Sequence, residues 1–423
     1  MNYFQTNFND LKDELETQLK TCKKFSEGLF LDISRGKPSQ AQLDLSSALL
    51  DVGHKNLENN IPDVRNYGNL EGIPEAQKLM AILIGCQQED VIIGGNSSLS
   101  LMFDVISCFF IHGIDGNPWC NQKIKFLCPS PGYDRHFSIC EYFGIEMIPI
   151  KVNDDGPDIE RIKNLVKNDQ NIKGIWCVPK YSNPSGIIYS DHVVKELANL
   201  SPAASDFRIF WDNAYSVHDL MEPSDLFDIF YEISKNQKNE LVIAFSSMSK
   251  VTFAGSGISA LACRGKNLEL LKKYYSFKTI GFDKINQLRH VKFFGKDKNF
   301  KQNLKLHMRK HAEILRPKFN LVHEVLEFNF KNNPIISWSK PGGGYFICVN
   351  TFGSAKRVVD LCAENGLKLT PAGVMFPYGI DLEDSTIRIA PSYSSLEELK
   401  KALEIFCACV KISALEKLLK MRR

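Results

Sequence analysis

Between about residues 90 and 265 the chain repeats one pattern. Short apolar runs alternate with helix-like stretches, and each run closes on glycine, proline or a small polar residue. The runs are DVIIGG (90–95), KIKFLC (123–128), IEMIPIKV (145–152), KGIWCV (173–178), FRIFWDNAYS (207–216), LVIAF (241–245) and GISALACR (257–264). Apolar strands separated by helices demand a mostly parallel sheet covered on both faces. In such a sheet the carboxyl ends of the strands line one edge, where open α/β sheets place ligands. Asn96, Tyr133, Asn183, Asp212 and Lys250 all fall at those ends.

The outer stretches read differently. Residues 4–31 predict one amphipathic helix with Leu11, Leu15 and Leu19 on a stripe. Gly36 and Pro38 break the following stretch into a loop, where Arg35 and Lys37 either meet an anion or form a solvated basic turn. Tyr67, in a glycine-bounded loop, is either an exposed hydrogen-bonding group or a packing residue. Residues 297–330 predict a long helix that Pro317 should kink or break. His307 and His311 lie one turn apart in it, a zinc-compatible spacing. No third ligand and no H-E-x-x-H pattern accompanies them, so a helix surface is expected and no metal. Alternation resumes from Trp338 and ends in a last helix, which reads as a smaller α+β domain. Arg388 sits there among apolar neighbours and needs an anionic partner, either a structural carboxylate or a substrate's.

Composition excludes several classes. The 423 residues carry 52 basic and 49 acidic side chains, a net +3, which makes no case for nucleic acid or a membrane surface. No apolar run approaches the length of a membrane span. The N-terminus is polar and acidic, unlike a signal or transit peptide. Twelve cysteines form no C-x-x-C pair and many sit in apolar runs, so a reducing, cytoplasmic setting is expected.

The chemistry concentrates at Ser246-Ser247-Met248-Ser249-Lys250, which follows a strand and precedes a Gly-rich stretch. An enclosed lysine loses its proton at modest cost and becomes a candidate Schiff-base nucleophile. The bland alternative is a surface lysine in a Ser/Gly loop. Asn96-Ser97-Ser98 stand between a strand and an apolar helix. They offer either an anion site at the helix N-terminus or a plain cap.

Ser34-Arg35-Gly36-Lys37-Pro38-Ser39, CPSPGYDRHFSICEYFGIEM, IWCVPKYSNPSG, FRIFWDNAYSVH and SMSKVTFAGSG occur in that order. Together they resemble the class I/II aminotransferases of pyridoxal-phosphate fold type I. The nearer resemblance is to a bacterial aspartate aminotransferase subgroup related to MocR-type domains. It spans residues from about 30 to 410. It implies a large domain (49–300) with a mostly parallel seven-stranded sheet, a small α+β domain (301–423), and an N-terminal arm (1–48) joining the latter. It also implies a homodimer with shared active sites, pyridoxal 5'-phosphate as cofactor, and amino-acid and 2-oxo-acid substrates, aspartate or glutamate with 2-oxoglutarate.

Residue roles follow from the same resemblance. Lys250 matches the lysine that carries the cofactor, and Asp212 the partner of its ring nitrogen. Tyr215 and Asn183 match the groups on its ring oxygen, and Tyr133 the stacking aromatic. Asn96, Ser97, Ser98 and Ser247 match the phosphate site, with Tyr67 reaching it from the partner subunit. Arg388 and Gly36 match the substrate α-carboxylate site. Positions 257 and 258, where the broad family carries a phosphate-binding arginine, are Gly and Ile, and Lys180 is the candidate substitute. Arg35 is the first candidate for a distal carboxylate, followed by Lys37, Lys284 and Arg289. Other amino-acid specificities, a pyridoxal-phosphate β-lyase and a non-catalytic MocR-like sensor stay open as alternatives.

Overall fold

A computed structural model describes residues 2–26, 28, 30–51, 63–295 and 299–423. The helices are α1 (Phe8–Ser26), α2 (Gln40–Asp44), α3 (Pro74–Ile84), α4 (Ser98–His112), α5 (Asp134–Tyr142), α6 (Ile159–Asn168), α7 (Asp191–Ala198), α8 (Ile229–Lys235), α9 (Gly265–Lys278), α10 (Lys284–Phe294), α11 (Phe300–Phe330), α12 (Ala355–Glu364) and α13 (Leu396–Met421). The strands are β1 (Leu31–Asp32), β2 (Val91–Ile93), β3 (Lys125–Ser130), β4 (Glu146–Asn153), β5 (Gly156–Pro157), β6 (Ile172–Cys177), β7 (Arg208–Asp212), β8 (Val242–Ser247), β9 (Ser259–Ala262), β10 (Ile336–Trp338), β11 (Ile347–Thr351), β12 (Leu367–Lys368) and β13 (Thr386–Ile389).

The main sheet runs β2-β9-β8-β7-β6-β3-β4-β5. Only β9 and the two-residue edge strand β5 run against their neighbours. The expected seven strands are present, and β5 adds an eighth through a tight turn after β4. Strands β6, β7 and β8 are buried along their whole length, which explains their unbroken apolar sequence. One apolar cluster lies on each face. Trp211, Ala244 and Leu79 belong to one, and Phe210, Phe245 and Phe109 to the other.

A second core gathers α11, α12 and α13 around the antiparallel sheet β10-β11-β13. The N-terminal segment joins it. Strand β1 pairs in parallel with β12, Leu31 opposite Leu367. Helix α1 packs on α13, with Cys22 Sγ 3.7 Å from Cys409 Sγ. All twelve cysteines are free. Among the described residues no helix is long and apolar enough to cross a membrane.

Three expectations change. The helix predicted over 4–31 is a short 3-10 turn, Tyr3–Gln5, followed by α1, and residues 27 and 29 lie outside the described residues. Of its stripe Leu11 is fully buried, while Leu19 is exposed. Helix α11 passes through Pro317 without a break, and residues 297 and 298 of its predicted range lie outside the described residues. Burial of Leu315, Phe319 and Val322 around the proline offsets the backbone bond it removes, a loss of about 3 kcal/mol. His307 and His311 are buried rather than on a helix surface, because α11 runs beneath the chain after Lys250.

Candidate active site

Strand ends and helix starts enclose a cavity of about 240 Å³ at the carboxyl edge of the main sheet. Its walls include Ser97, Ser98, Tyr133, Asn183, Asp212, Tyr215, Ser247, Ser249 and Lys250. A larger, open hollow of about 810 Å³ lies at the opposite ends of β7 and β8. Its basic groups are already engaged: Arg208 by Asn267, Lys238 by the carbonyls of Asn199 and Leu200, and Arg264 by Asp90.

Lys250 follows β8 by three residues and holds its Nζ 4.8 Å from the centre of the Tyr215 ring. Its carbonyl accepts a hydrogen bond from the Tyr345 hydroxyl at 3.3 Å and faces His218 Nε2 at 3.3 Å. Burial, then the Lys250 ammonium, hold the His218 pKa down to about 3. A neutral imidazole therefore stands behind the lysine.

Asp212 ends β7. Its Oδ2 meets His136 Nε2 at 3.0 Å, while its Oδ1 is buried without a partner. The His136 ring stacks on Trp176 of β6, centroids 4.4 Å apart and 9° from parallel. Tyr133 stands edge-on to His136 on the cavity wall. Burial pushes the Tyr133 phenol up to about 12 and raises that of Tyr215 further, so both hydroxyls keep their protons at neutral pH.

Arg388 lies in β13, buried, opposite Cys348 of β11. Its Nη1 donates to Asn183 Oδ1 at 3.0 Å, and its Nη2 to the Ser34 carbonyl at 3.2 Å and to Thr370 Oγ1 at 3.1 Å. Its Nε is buried without a partner. Among the described residues the carboxylate paired with it is Asp134, at 3.8 Å. The guanidinium lies over the Phe346 ring, 4.6 Å from its centre. A Cβ on Gly36 would fall 2.6 Å from that same ring, so any larger residue there must displace it.

Other predicted residues lie elsewhere. Asn96 is not on the cavity wall. Its amide donates to the Gly255 carbonyl and ties two loops together. Lys180 is not at the serine turn. Its ammonium is held by Asp219 at 2.8 Å and by the Ser216 carbonyl at 2.9 Å, because the loop after β6 turns it away. Tyr67 is 78 % exposed and lines a surface hollow with Gly281 and Lys284. Lys284 donates to the Gly68 carbonyl, and Lys37 lies 3.8 Å over the Tyr393 ring. Arg35 is exposed and Arg289 is half-buried.

Sequence reading does not single out His136 or Trp176, whereas Ser249, within the Ser246–Lys250 stretch, lines the cavity. His136 stands three residues after Tyr133 on the first turn of α5, a spacing that sets both on one side of a helix start and could have exposed it.

The aspartate amino-transferase family model matches residues 4–422. An aspartate aminotransferase of Corynebacterium glutamicum is 41% identical over 398 residues, covering 92% of this chain and 91% of that protein. A solved aspartate transaminase structure from Corynebacterium glutamicum superposes with a TM-score of 0.90 at 39% identity, covering 97% of this chain and 96% of that one. A more distant fold match is the α-aminoadipate aminotransferase of Thermus thermophilus, complexed with N-(5'-phosphopyridoxyl)-L-leucine. It has a TM-score of 0.74 at 18% identity and covers 94% and 95% of the two chains. The chain belongs to the aspartate amino-transferase family, and it is an aminotransferase.

Proposed function

We propose that the chain uses pyridoxal 5'-phosphate to move an amino group from aspartate or glutamate to 2-oxoglutarate, in the cytosol, as a homodimer. The observation that carries the substrate reading is Arg388. A buried guanidinium whose hydrogen bonds go to neutral oxygens, whose paired carboxylate Asp134 stands off at 3.8 Å and whose Nε is unpartnered suits an incoming carboxylate.

The cavity residues fit the cofactor. Asp212 keeps one buried carboxylate oxygen free for a protonated ring nitrogen. Helix α4 opens its N-terminus at Ser97 and Ser98 onto the same cavity as Ser247, a setting suited to a phosphate. When bound, the cofactor supplies an electron-withdrawing ring that stabilises negative charge at the substrate Cα. With the cofactor bound, the Lys250 amine would take the proton from the substrate Cα and hand it on, as general base and then acid. Asp212, held by His136, would keep the ring nitrogen's proton in place. Tyr215 and Asn183 would hydrogen-bond the ring oxygen, and Tyr133 would pack against the ring, all three lining the cavity. Arg388 grips the α-carboxylate, with Gly36 admitting the Phe346 ring that backs it.

The name of the Corynebacterium relative supports aspartate as donor. Arg35 is the proposed distal cation, since it follows Ser34, whose carbonyl already touches Arg388. Exposed Tyr67, Phe277 and Ile280 support a surface shared between two subunits, across which Tyr67 reaches the partner's phosphate site. The two apolar cores support a division into large (49–300) and small (301–423) domains with an N-terminal arm (1–48). The test is a panel of amino donors with 2-oxoglutarate, run on the wild type and Arg35→Ala. Aspartate turnover should fall in the variant while a neutral donor is spared. Equal loss of both contradicts the Arg35 assignment, and no transfer from aspartate or glutamate contradicts the substrate reading.

A further inference from the structure

The segment from Ser34 to Gln42 touches the site at both ends. At one end the Ser34 carbonyl takes a hydrogen bond from Arg388 Nη2 at 3.2 Å and another from Thr370 Oγ1 at 2.7 Å. At the other end Gln42 is fully buried. Its Oε1 accepts from the Ser39 amide at 3.1 Å, which turns its Nε2 inward. That nitrogen donates to the Tyr345 hydroxyl at 2.9 Å and meets His311 Nδ1 at 3.1 Å. Tyr345 in turn donates to the Lys250 carbonyl. His311 Nε2 lies 3.1 Å from His307 Nε2, which sits 2.7 Å from the Val251 carbonyl. The Lys250 peptide is thus held by Tyr345, which Gln42 anchors, and the adjacent Val251 peptide by His307, which packs on the His311 that Gln42 also touches.

From this continuity we infer that Gln42 and Tyr345 are positioning residues that couple filling of Arg388 to the orientation of the Lys250 main chain. The inference rests on reading Arg388 as the carboxylate grip. A carboxylate arriving there competes with the Ser34 carbonyl for Nη2. The contact of Ser34 weakens, and the shift passes along eight residues to Gln42. Gln42 cannot move without changing its bond to Tyr345, and Tyr345 cannot move without changing its bond to the Lys250 carbonyl. The link is physical and contiguous, and it moves a group that touches the reacting atoms. None of these side chains lines the cavity itself. His307 and His311, whose spacing is compatible with zinc, serve here as a second prop on the same loop.

Succinate, a dicarboxylate without an amino group, is the probe. Backbone amide exchange of the holoenzyme is followed with and without saturating succinate, in peptides covering residues 31–43 and 246–253. In the wild type both peptides should change exchange rate at least about threefold. In Tyr345→Phe the first should still respond and the second should not. Gln42→Leu reads the same link from its other side and should give the same split. A second peptide that responds in both variants as in the wild type overturns the coupling. So does a wild-type response confined to residues 31–43. A wild type silent in both peptides overturns the reading of Arg388 itself, and the coupling with it.

Discussion

His136 Nε2 lies 3.0 Å from Asp212 Oδ2, and Trp176 fixes the imidazole from behind by stacking on it. Three elements meet in this contact: the first turn of α5 and the ends of β6 and β7. It leaves one oxygen of Asp212 committed and the other free, which is the arrangement a carboxylate needs to present a single lone-pair face to a ligand.

Replacing His136 with Phe keeps the stack but strands both oxygens of Asp212. A lost hydrogen bond to a charged buried group is worth about 1.5–3 kcal/mol. If that loss appears in the transition state, kcat/KM should fall about 10- to 150-fold. Steady-state kinetics on the purified variant check this; a change under twofold contradicts the role.

Arg388→Lys removes the planar fork while keeping the charge. A single ammonium cannot reproduce the planar fork whose two nitrogens reach Asn183 and Ser34 separately and can grip a carboxylate bidentately. KM for both the amino acid and the oxo acid should rise, by about 100-fold if one charge-assisted bond of about 2.7 kcal/mol is lost. Titration of each substrate at fixed co-substrate measures it. An unchanged KM for both removes Arg388 from the site.

Gly36→Ala places a methyl 2.6 Å from the Phe346 ring, on the residue that backs Arg388. The ring must shift, at about 1–3 kcal/mol of stability. Thermal melting should register the loss, and KM should rise with it because the guanidinium loses its support. Wild-type melting and KM together would show that the ring yields freely.

Four buried histidines set the acid limit of stability. Burial holds His218 and His311 down to about 3 and His290 to about 4, and it lowers His307 as well, all from an ordinary 6.5. In the unfolded chain each binds a proton near pH 6.5, and in the folded chain only below it. Stability is therefore full above pH 6.5 and falls as pH drops towards the folded values. His218, His290 and His311 each remove about 2 kcal/mol by pH 5, and His307 acts in the same direction. Urea midpoints at pH 7.5 and 5.0 should differ strongly in the wild type and less in His311→Gln. Equal midpoints at the two pH values contradict the buried neutral state.

What was legible in the sequence was whatever a local pattern carries. Asp212 and Lys250 show themselves because strands this apolar end abruptly in polar residues, and Arg388 because an arginine inside an apolar strand needs a partner. The residues that hold these groups from behind were not legible. Gln42 and Tyr345 meet across 303 positions of sequence, and His136 sits in a helix start with nothing local to mark it. His307 and His311 have a surface-like polar neighbourhood in sequence, and only the packing of α11 under Val251 buries them. Lys180 shows the opposite error. Its position beside the Asn183 loop suggested the cavity, but Asp219, 39 residues later, draws its ammonium away.

The most direct test of the whole account is the spectrum of Lys250→Ala beside the wild type, both purified with pyridoxal 5'-phosphate, and their transfer of an amino group from aspartate to 2-oxoglutarate. The account predicts a visible absorbance in the wild type that shifts with pH and with aspartate, and its loss together with turnover in the variant. A variant that keeps the wild-type spectrum and rate contradicts it.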